Sequence, residues 1–479
     1  MQFNSWQYAV FLVVVFAAHW LLKARYRWFF LLLASYFFYM RWNPAYAVLI
    51  LLTTVVSYYA ALGIERRPQR KKQIAAVTAL ICLGVLGVFK YFNFFARSVS
   101  SLLSVFSLSV HPVTLKLLLP VGISFYTFQT LSYVLDVYRG LIPAEKHFGY
   151  YAVFVSFFPQ LVAGPIERPS NLLPQLKADR VFNYEQATYG LKQLTWGLFK
   201  KMAVADILAP SVDAIFNNVE KANGAAIPVA MVMFSFQIYC DFSGYSDIAI
   251  GTAKLFGINL MQNFKSPYFA GSIREFWSRW HISLSTWFRD YLYIPLGGNR
   301  KGFLARSKNL LITFLASGLW HGASWTFVIW GGIHGLAQIV ENALNLLKQK
   351  HPKAPGRASG FFKTALVFVF CTLAWTFFRA NQLSDVFTLF SRMFNGISSP
   401  YNYVFQGLKD CLLTKRTLLQ IILSLTLLTV YDFASLKTDV IEWVSGRKAV
   451  VRYLFYVGIV TLILFFRAPM DATFVYFQF

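Results

Sequence analysis

The amino-acid sequence predicts an all-α polytopic membrane protein with roughly ten to twelve transmembrane helices. Of its 479 residues, 57% are hydrophobic and only 14% are charged, whereas about a quarter of the residues in an ordinary soluble protein are charged. The mean hydropathy is +0.50. At about 20 residues for each crossing, the chain is long enough for this number of spans and their short connections. Because no long polar stretch interrupts the apolar runs, we predict a single transmembrane domain over residues 1–479.

The first apolar runs are followed alternately by strongly basic and weakly charged loops. Residues 23–27 (KARYR) follow the first run, and residues 65–72 (ERRPQRKK) follow the third. Since Lys and Arg are enriched in cytoplasmic loops, both segments are predicted to be cytoplasmic and the amino terminus to lie outside. The amino terminus lacks the positive region that begins a secretory signal, so its apolar run is expected to remain as the first span. The next predicted spans are about 28–40, 45–64 and 73–89.

Two apolar stretches in the middle of the chain contain helix-breaking residues. Residues 113–141 carry Pro120 and Gly122, and residues 154–169 (FVSFFPQLVAGPIERP) carry a proline and a Gly-Pro pair. Proline in a helix interior frees a backbone carbonyl, so broken helices at membrane depth border a cavity or pack within protein. Gln160 is therefore a candidate tunnel-lining residue, although a simple kink explains the same pattern.

Charged residues distinguish the next two segments. Residues 177–205 are basic and amphipathic, which predicts a surface helix leading into the membrane. The apolar run 231–251 contains Asp241 and Asp247, whose spacing leaves them about 120° from sharing one helix face. Asp247 is a second candidate tunnel-lining residue. Alternatively, these carboxylates belong to a buried hydrogen-bonded network that sets the helix register.

Beyond residue 322 the pattern is that of further spans joined by basic connections. The predicted runs are about 325–347, 361–378, 417–434 and 449–466, with a basic linker at 348–360. The formal charge of +25 is concentrated in such loops without any nucleic-acid-binding signature, so we predict no nucleic-acid partner. The four cysteines show no metal-ligand or disulfide spacing. We therefore predict no metal site and no tightly bound cofactor, and we expect His334 to be structural.

Residues 273–322 form a core motif region that differs from the rest of the chain. Its first part mixes charged residues with three tryptophans, so it is predicted to lie at the interface or to enter the membrane only where protein surrounds it. Its second part is an apolar run that ends in Trp320 and His321. An ionisable group at membrane depth is costly and usually faces a cavity or a partner. On residue chemistry alone, His281 and His321 are either functional residues or structural histidines with satisfied hydrogen bonds.

The segments RWHISLSTWFRDYLYIPLGGNR (279–300) and SGLWHGASW (317–325) resemble the signature of the membrane-bound O-acyltransferases. The resemblance is greatest to the bacterial branch that acetylates alginate and cell-wall polysaccharides. It implies that His321 is the catalytic histidine and that His281 occupies the second characteristic polar position. It also implies a bundle with re-entrant or interfacial helices around a central tunnel, for which Trp320 is a third candidate lining residue.

The same resemblance implies an activity and its partners. The protein would take acetyl from cytoplasmic acetyl-CoA and pass it across the bacterial inner membrane to an exported polysaccharide, with a periplasmic SGNH-type acetyltransferase or esterase as partner. Such chemistry needs an aligned hydroxyl, a base and exclusion of water, and a neutral imidazole in an apolar wall is a suitable base. The alternatives are another acceptor, namely a lipid, a protein or the teichoic acid of D-alanylation, and a transporter or flippase whose histidines line a polar path.

Basic residues beside the motif are candidates for donor binding. Arg289, Arg300 and Lys301 are predicted to hold the phosphates of CoA, with Arg306 and Lys308 as further candidates. The alternative explanation for these residues is the enrichment of positive charge in cytoplasmic loops.

The carboxy-terminal tail, residues 467–479, ends in FVYFQF and is predicted to be periplasmic. Basic residues at 447, 448 and 452 place the start of the last span in the cytoplasm, so the tail emerges on the other side. An aromatic belt at the interface explains the pattern in one way. The pattern also resembles the acyl-transfer motif of the small partner peptide in D-alanylation systems. That resemblance implies that Tyr476 is a catalytic residue that accepts acetyl with help from His321.

Overall fold

The computed structural model describes residues 1–108, 110–162, 164–350, 358–466 and 474–475. Within these ranges every regular element is a helix, which confirms the all-α prediction. The described residues fall into two compact units: unit 1 comprises Met1–Leu191 and Ala249–Met261, and unit 2 comprises Lys192–Ile248 and Gln262–Phe479. Compact units in a polytopic protein need not fold separately, so the single domain stays a prediction.

The helices of unit 1 are α1 (Trp6–Leu21), α2 (Ala24–Met40), α3 (Ala47–Arg66), α4 (Lys71–Leu86), α5 (Phe92–Val105), α6 (Ile123–Arg139), α7 (Phe148–Ser156) and α8 (Pro169–Lys177). The remaining helices are α9 (Tyr184–Leu198), α10 (Asp206–Phe216), α11 (Ala226–Leu255), α12 (Ile273–Arg279), α13 (Ile282–Phe288), α14 (Gly302–His321), α15 (Trp325–Lys350), α16 (Ala358–Arg379), α17 (Leu383–Arg392), α18 (Pro400–Asp410), α19 (Lys415–Ser435), α20 (Val440–Ser445) and α21 (Ala449–Phe466). Helices α9 and α11 contribute residues to both units. Short 3-10 segments occupy Pro44–Tyr46, Pro68–Arg70 and Pro267–Phe269, and π-helical segments occupy Gly87–Tyr91, Phe199–Ala205 and Arg289–Tyr293.

Several helices are long and apolar enough to cross a membrane. Among the described residues there are six such segments: Pro44–Arg66, Pro68–Val105, Ala226–Leu255, Gly360–Arg379, Lys415–Ser435 and Ala449–Phe466. Only 11% of the last segment is buried inside the protein, whereas 78% of Ala226–Leu255 is buried. An apolar helix that leaves most of its surface outside the protein requires lipid around it. The chain is therefore a multi-pass membrane protein, and most of the apolar window of α11 is buried by protein.

The predicted count of ten to twelve spans is not confirmed by these six segments. Helix α1 is apolar but has only 16 residues, and α2 has 17. The apolar stretch 113–141 is not one helix, because α6 begins only at Ile123. The stretch 154–169 loses its helix at Ser156, where α7 ends. The predicted count came from the length of the chain at about 20 residues for each crossing, and several of the described apolar helices are shorter than that.

The irregular backbone that follows α7 is buried inside unit 1, as the broken-helix prediction requires. Phe157 and Phe158 are completely buried, and Gln160 is 2% exposed. The Gln160 Nε2 donates a hydrogen bond of 2.9 Å to the carbonyl oxygen of Phe154. Gly122, which precedes α6, has φ +78°, and a Cβ there would lie 2.6 Å from the Leu161 carbonyl oxygen. Only glycine allows this close approach of the two backbones.

Candidate active site

His321 is the last residue of α14, and the local sequence explains why the helix ends there. The next residue, Gly322, has extended backbone with φ −158°. A Cβ on Gly322 would lie 2.2 Å from the ring of Phe327, so only glycine fits between α14 and α15. The His321 side chain is 3% exposed. The helix end therefore delivers an imidazole into the interior of unit 2.

A close contact between α14 and α15 fixes the position of this helix end. A Cβ on Gly318 would lie 2.2 Å from the Phe327 carbonyl oxygen, and a Cβ on Gly331 would lie 2.2 Å from the Phe314 carbonyl oxygen. The two backbones touch because neither position carries a side chain. Gly318 lies three residues before His321, about one helical turn, so this contact holds the imidazole in register.

Aromatic side chains from α14, α15 and α16 enclose the His321 ring. Its centroid lies 5.1 Å from Trp330 and 5.5 Å from Phe378. The neighbouring Trp320 ring lies at 5.1 Å, and Trp375 stacks on Trp330 at 5.3 Å. Large rings at these distances exclude water, which strengthens any electrostatic interaction inside the site.

His281 occupies a left-handed backbone conformation between two short helices, α12 and α13. Its φ and ψ are +43° and +54°, which is uncommon for a residue other than glycine. The amide of the next residue, Ile282, donates to the Asn263 carbonyl oxygen at 2.9 Å, and Lys265 N donates to Arg279 O at 2.9 Å. These bonds hold the turn, and they place a completely buried imidazole in the core.

Asn263 determines which nitrogen of His281 carries the proton. The Asn263 Oδ1 accepts hydrogen bonds from the Ser283 hydroxyl at 2.9 Å and from the Ser283 amide at 3.3 Å. His281 Nδ1 lies 3.1 Å from the same oxygen and must therefore donate to it. Consequently the Nε2 of a neutral His281 carries the lone pair. His281 lies outside the six candidate spans, and burial lowers the pKa of its imidazole to about 3.

The two histidines lie together, as the sequence predicted for one site. Their ring centroids are 6.2 Å apart and the rings are inclined by 61°. At this separation both imidazoles can act on one reacting group. Within the described residues, no group of His, Cys, Asp and Glu side chains could hold a metal ion. The arrangement suits proton transfer in a site that excludes water.

A cavity of about 550 Å³ lies within unit 2, and its described lining contains residues close in sequence to both histidines but not the histidines themselves. Its lining includes Ile282, which adjoins His281, and Ser317, which lies four residues before His321. It also includes three arginines, at positions 274, 289 and 306. Arg274 and Arg306 both donate to the Asn342 Oδ1, the latter at 2.6 Å. The two guanidinium groups therefore lie close together at the cavity, where the Glu341 carboxylate also accepts from the backbone amide of Ile273 at 2.8 Å.

The structure separates the three basic residues proposed for donor binding. Arg289 lines the cavity and pairs with Asp290 at 2.8 Å. Arg300 and Lys301 are exposed residues just before α14 and are not among the described residues that line the cavity. Sequence reasoning did not propose Arg274, because its charge looked like one of several interfacial charges in the same segment.

The three tunnel candidates lie in different surroundings. Trp320 is 5.9 Å from His281, centroid to centroid, and belongs to the site. Asp247 forms an ion pair with Lys200 and accepts a 3.0 Å hydrogen bond from Gln193, which favours the alternative of a buried network. Gln160 belongs to unit 1. Tyr476 lies outside the described residues.

Residues 177–205 are not a surface helix along their whole length. Helix α9 continues into the π-helical segment Phe199–Ala205, where Lys200 and Lys201 are 4% and 5% exposed. Lys201 Nζ pairs with Asp206 at 2.7 Å and with Asp241 at 2.8 Å. The prediction was wrong here because lysines in an amphipathic stretch usually face water. Two aspartates within the apolar run 231–251 were the available signal, since buried carboxylates require cations.

Comparison with known proteins gives a matching family model and several similar relatives. A sequence model described as "MBOAT, membrane-bound O-acyltransferase family" matches residues 143–383, a range that contains His281 and His321. The probable alginate O-acetylase AlgI of Azotobacter vinelandii is 39% identical over 446 residues, which cover 92% of this chain and 86% of the relative. The peptidoglycan O-acetyltransferase of Helicobacter pylori is 38% identical over 77% of this chain and 74% of the relative. The teichoic acid D-alanyltransferase of Bacillus subtilis is 27% identical over 49% of this chain and 62% of the relative.

Proposed function

The chain belongs to the membrane-bound O-acyltransferase family, and we propose that it transfers acetyl from cytoplasmic acetyl-CoA to an exported polysaccharide. It is an O-acetyltransferase, as the relatives named for alginate and peptidoglycan acetylation indicate. The proposed location is the bacterial inner membrane, with the amino terminus in the periplasm. The alternating basic loops at 23–27 and 65–72 support this orientation.

The buried His281–His321 pair, with ring centroids 6.2 Å apart, is the observation that carries the proposal. In the first step a hydroxyl oxygen attacks the thioester carbonyl, the C–S bond breaks and the thiol leaves. His321 takes the hydroxyl proton and returns it to the departing sulfur, so protons and electrons balance. His281 offers a lone pair at Nε2 and assists by positioning the reacting groups. Enclosure by Trp330 and Phe378 keeps water from competing for the acyl group.

The cavity beside the pair supports a donor with a negatively charged end and a long arm. Arg306 lies fifteen residues before His321 on α14, which corresponds to about 22 Å along the helix. Arg274 and Arg306 would hold phosphate groups by charge-assisted hydrogen bonds. The acetyl thioester would then reach the histidine pair. Acetyl-CoA is bound as a substrate in this proposal and not as a resident cofactor.

Tyr476 is the proposed first acceptor of the acetyl group. Its phenol oxygen would replace the thiol at the carbonyl, which forms an aryl ester and releases CoA. A second hydroxyl, on the polysaccharide or on a periplasmic SGNH-type partner, would then attack that ester and release the phenol. Because a phenol has a pKa of about 10, its ester remains activated relative to an alkyl ester. The whole sequence therefore requires no energy source beyond the thioester.

Purified full-length protein in lipid nanodiscs tests this proposal. With acetyl-CoA labelled in the acetyl group, we expect release of free CoA and transfer of label to the tail peptide that contains Tyr476. Tyr476→Phe keeps the aromatic ring and should abolish that label. If the wild-type protein releases no more CoA than nanodiscs without protein do, the proposed donor is wrong. D-alanyl carrier protein, the donor type suggested by the alternative in the family, should give no transfer.

A further inference from the structure

A buried ion network lies outside the histidine pair and is not used by the reaction described above. Lys201 lies between Asp206 and Asp241, at 2.7 and 2.8 Å, and all three residues are buried. Removing charges from water costs several kcal/mol for each ion, and mutual attraction returns this only when the geometry is favourable. A network of this kind is therefore weak evidence for stability and suggests another role.

The second oxygen of Asp241 has a different partner. Its Oδ2 accepts a hydrogen bond of 2.7 Å from the backbone amide of Val475. Lys201 pairs with the other oxygen, Oδ1. The carboxylate thus joins the ion network to the carboxy-terminal part of the chain, and Lys201 holds it in the orientation that presents Oδ2.

Aromatic residues on α11 hold the residue before Val475. The Phe474 ring lies 4.7 Å from Tyr245 and 6.1 Å from Phe242, centroid to centroid. Phe474 and Val475 are only 3% and 4% exposed. Asp241, Phe242 and Tyr245 lie within about one turn of α11. One short stretch of this helix therefore binds both an aromatic side chain and the peptide amide that follows it.

The same stretch of α11 contacts the catalytic pair. Phe242, the residue after Asp241, packs edge-on against His281 with a centroid distance of 4.6 Å. Val475 is the residue directly before Tyr476 in the chain. A contact that holds Val475 on this face also fixes the point from which residue 476 extends.

The position of the network on α11 is itself determined by backbone packing. A Cβ on Gly244 would lie 2.8 Å from the Gly197 carbonyl oxygen and 3.1 Å from the Lys201 amide nitrogen. The π-helical segment Phe199–Ala205 therefore lies directly against α11. In this segment Lys200 pairs with Asp247 and Lys201 pairs with Asp241, and both aspartates are on α11.

We propose that Asp241, held by Lys201 and Asp206, forms with Phe242 and Tyr245 a docking site for the carboxy-terminal segment of this chain. The site takes an aromatic residue followed by a peptide N–H. Its role is to hold the chain beside His281 so that Tyr476 can accept acetyl. The positioning role rests on the proposed function of Tyr476, whereas docking itself does not. Asp241 and Lys201 are positioning residues and touch no reacting atom.

Docking is measured without any activity assay by introducing a single cysteine in place of Val475. Val475→Cys keeps the backbone N–H, and the described native cysteines are all buried. In the full-length protein, maleimide labelling of the introduced thiol should be slow. Asp241→Asn should accelerate labelling about 10- to 100-fold, the ratio expected for loss of a hydrogen bond to a charged group. Phe474→Ala should accelerate it about tenfold or more, because the buried ring no longer packs on α11. Phe465→Ala, a control that removes an exposed ring near the end of α21, should leave the rate unchanged.

The Phe474→Ala variant changes only the tail and keeps the test valid if Asp241→Asn fails to fold. Labelling at the wild-type rate in a monodisperse Phe474→Ala protein would overturn the docking site. The positioning role is tested by comparing Val475→Pro, which removes the backbone N–H, with Val475→Ala, which keeps it. We expect acetyl transfer to fall about tenfold or more in the first variant only. Equal transfer by both variants would overturn the positioning role. Full transfer by Tyr476→Phe would instead overturn the proposed acceptor and leave the docking site intact.

Discussion

The contact between α14 and α15 predicts opposite effects for two neighbouring glycines. In Gly331→Ala the new Cβ would lie 2.2 Å from the Phe314 carbonyl oxygen, where real contacts essentially never fall below 3.0 Å. The helices must therefore separate by about 1 Å, because packed backbones cannot absorb the overlap. In Gly332→Ala the nearest atom is Leu315 Cδ2 at 3.4 Å, an ordinary contact. Gly332→Ala is thus a matched control on the same helix.

Both substitutions favour the helix by about 1 kcal/mol, since alanine is the better helix former. Only Gly331→Ala adds overpacking, which costs about 1–3 kcal/mol. A shift of about 1 Å at His321 lowers turnover by about 10²-fold if alignment matters as proposed. Thermal unfolding and CoA release of the two purified variants test this. Wild-type turnover and equal melting temperatures in both variants would refute the account of how His321 is held.

Three further predictions follow from the site and the topology. Asn263→Ala should lower kcat about tenfold or more, because His281 loses the acceptor that sets its tautomer. The control Ser246→Ala removes only a 3.2 Å contact to Asn263 and should have little effect on kcat. Equal kcat values for the two variants would contradict the tautomer argument. Arg274→Gln and Arg306→Gln should each raise the KM for acetyl-CoA about tenfold with kcat nearly unchanged. The control Arg300→Gln changes a residue away from the cavity and should leave KM unchanged. An unchanged KM in the first two variants would exclude the cavity as the donor site. Cysteines introduced at Arg25 and Gln69 should be protected from an impermeant reagent in intact cells, and ready labelling of both would reverse the predicted orientation.

The sequence pointed to the two histidines of this site but not to the residues that orient and enclose them. His321 stood out as an ionisable residue ending an apolar run, and His281 was found through the motif around it. Asn263, which orients His281, had no signal because a single asparagine in a loop has many ordinary roles. Trp330 and Phe378 lie on other helices, and only the tertiary structure brings them to His321.

Contacts that form only in the tertiary structure also explain why the number of spans was not confirmed and why the surface helix predicted for residues 177–205 was partly wrong. Chain length and apolar composition predicted ten to twelve spans, but they do not show how many apolar helices are long enough to cross a membrane. In the sequence, Lys201 looked like a surface residue. Only the fold brings its side chain into contact with Asp241 on α11 and with Asp206, which directly follows the π-helical segment. Docking of Val475 on Asp241 uses a backbone amide, which every residue except proline has, and therefore leaves no trace in the sequence.

The most direct measurement of the central claim is the turnover of acetyl-CoA by His321→Ala. The buried imidazole is the proposed base, and loss of a positioned base typically lowers the rate about 10²–10⁴-fold. We expect this loss in a protein that inserts into the membrane and purifies as the wild type does. His281→Ala should reduce turnover less, because that residue positions the reacting groups. Near-normal release of CoA by a well-folded His321→Ala protein would contradict the assignment of the active site.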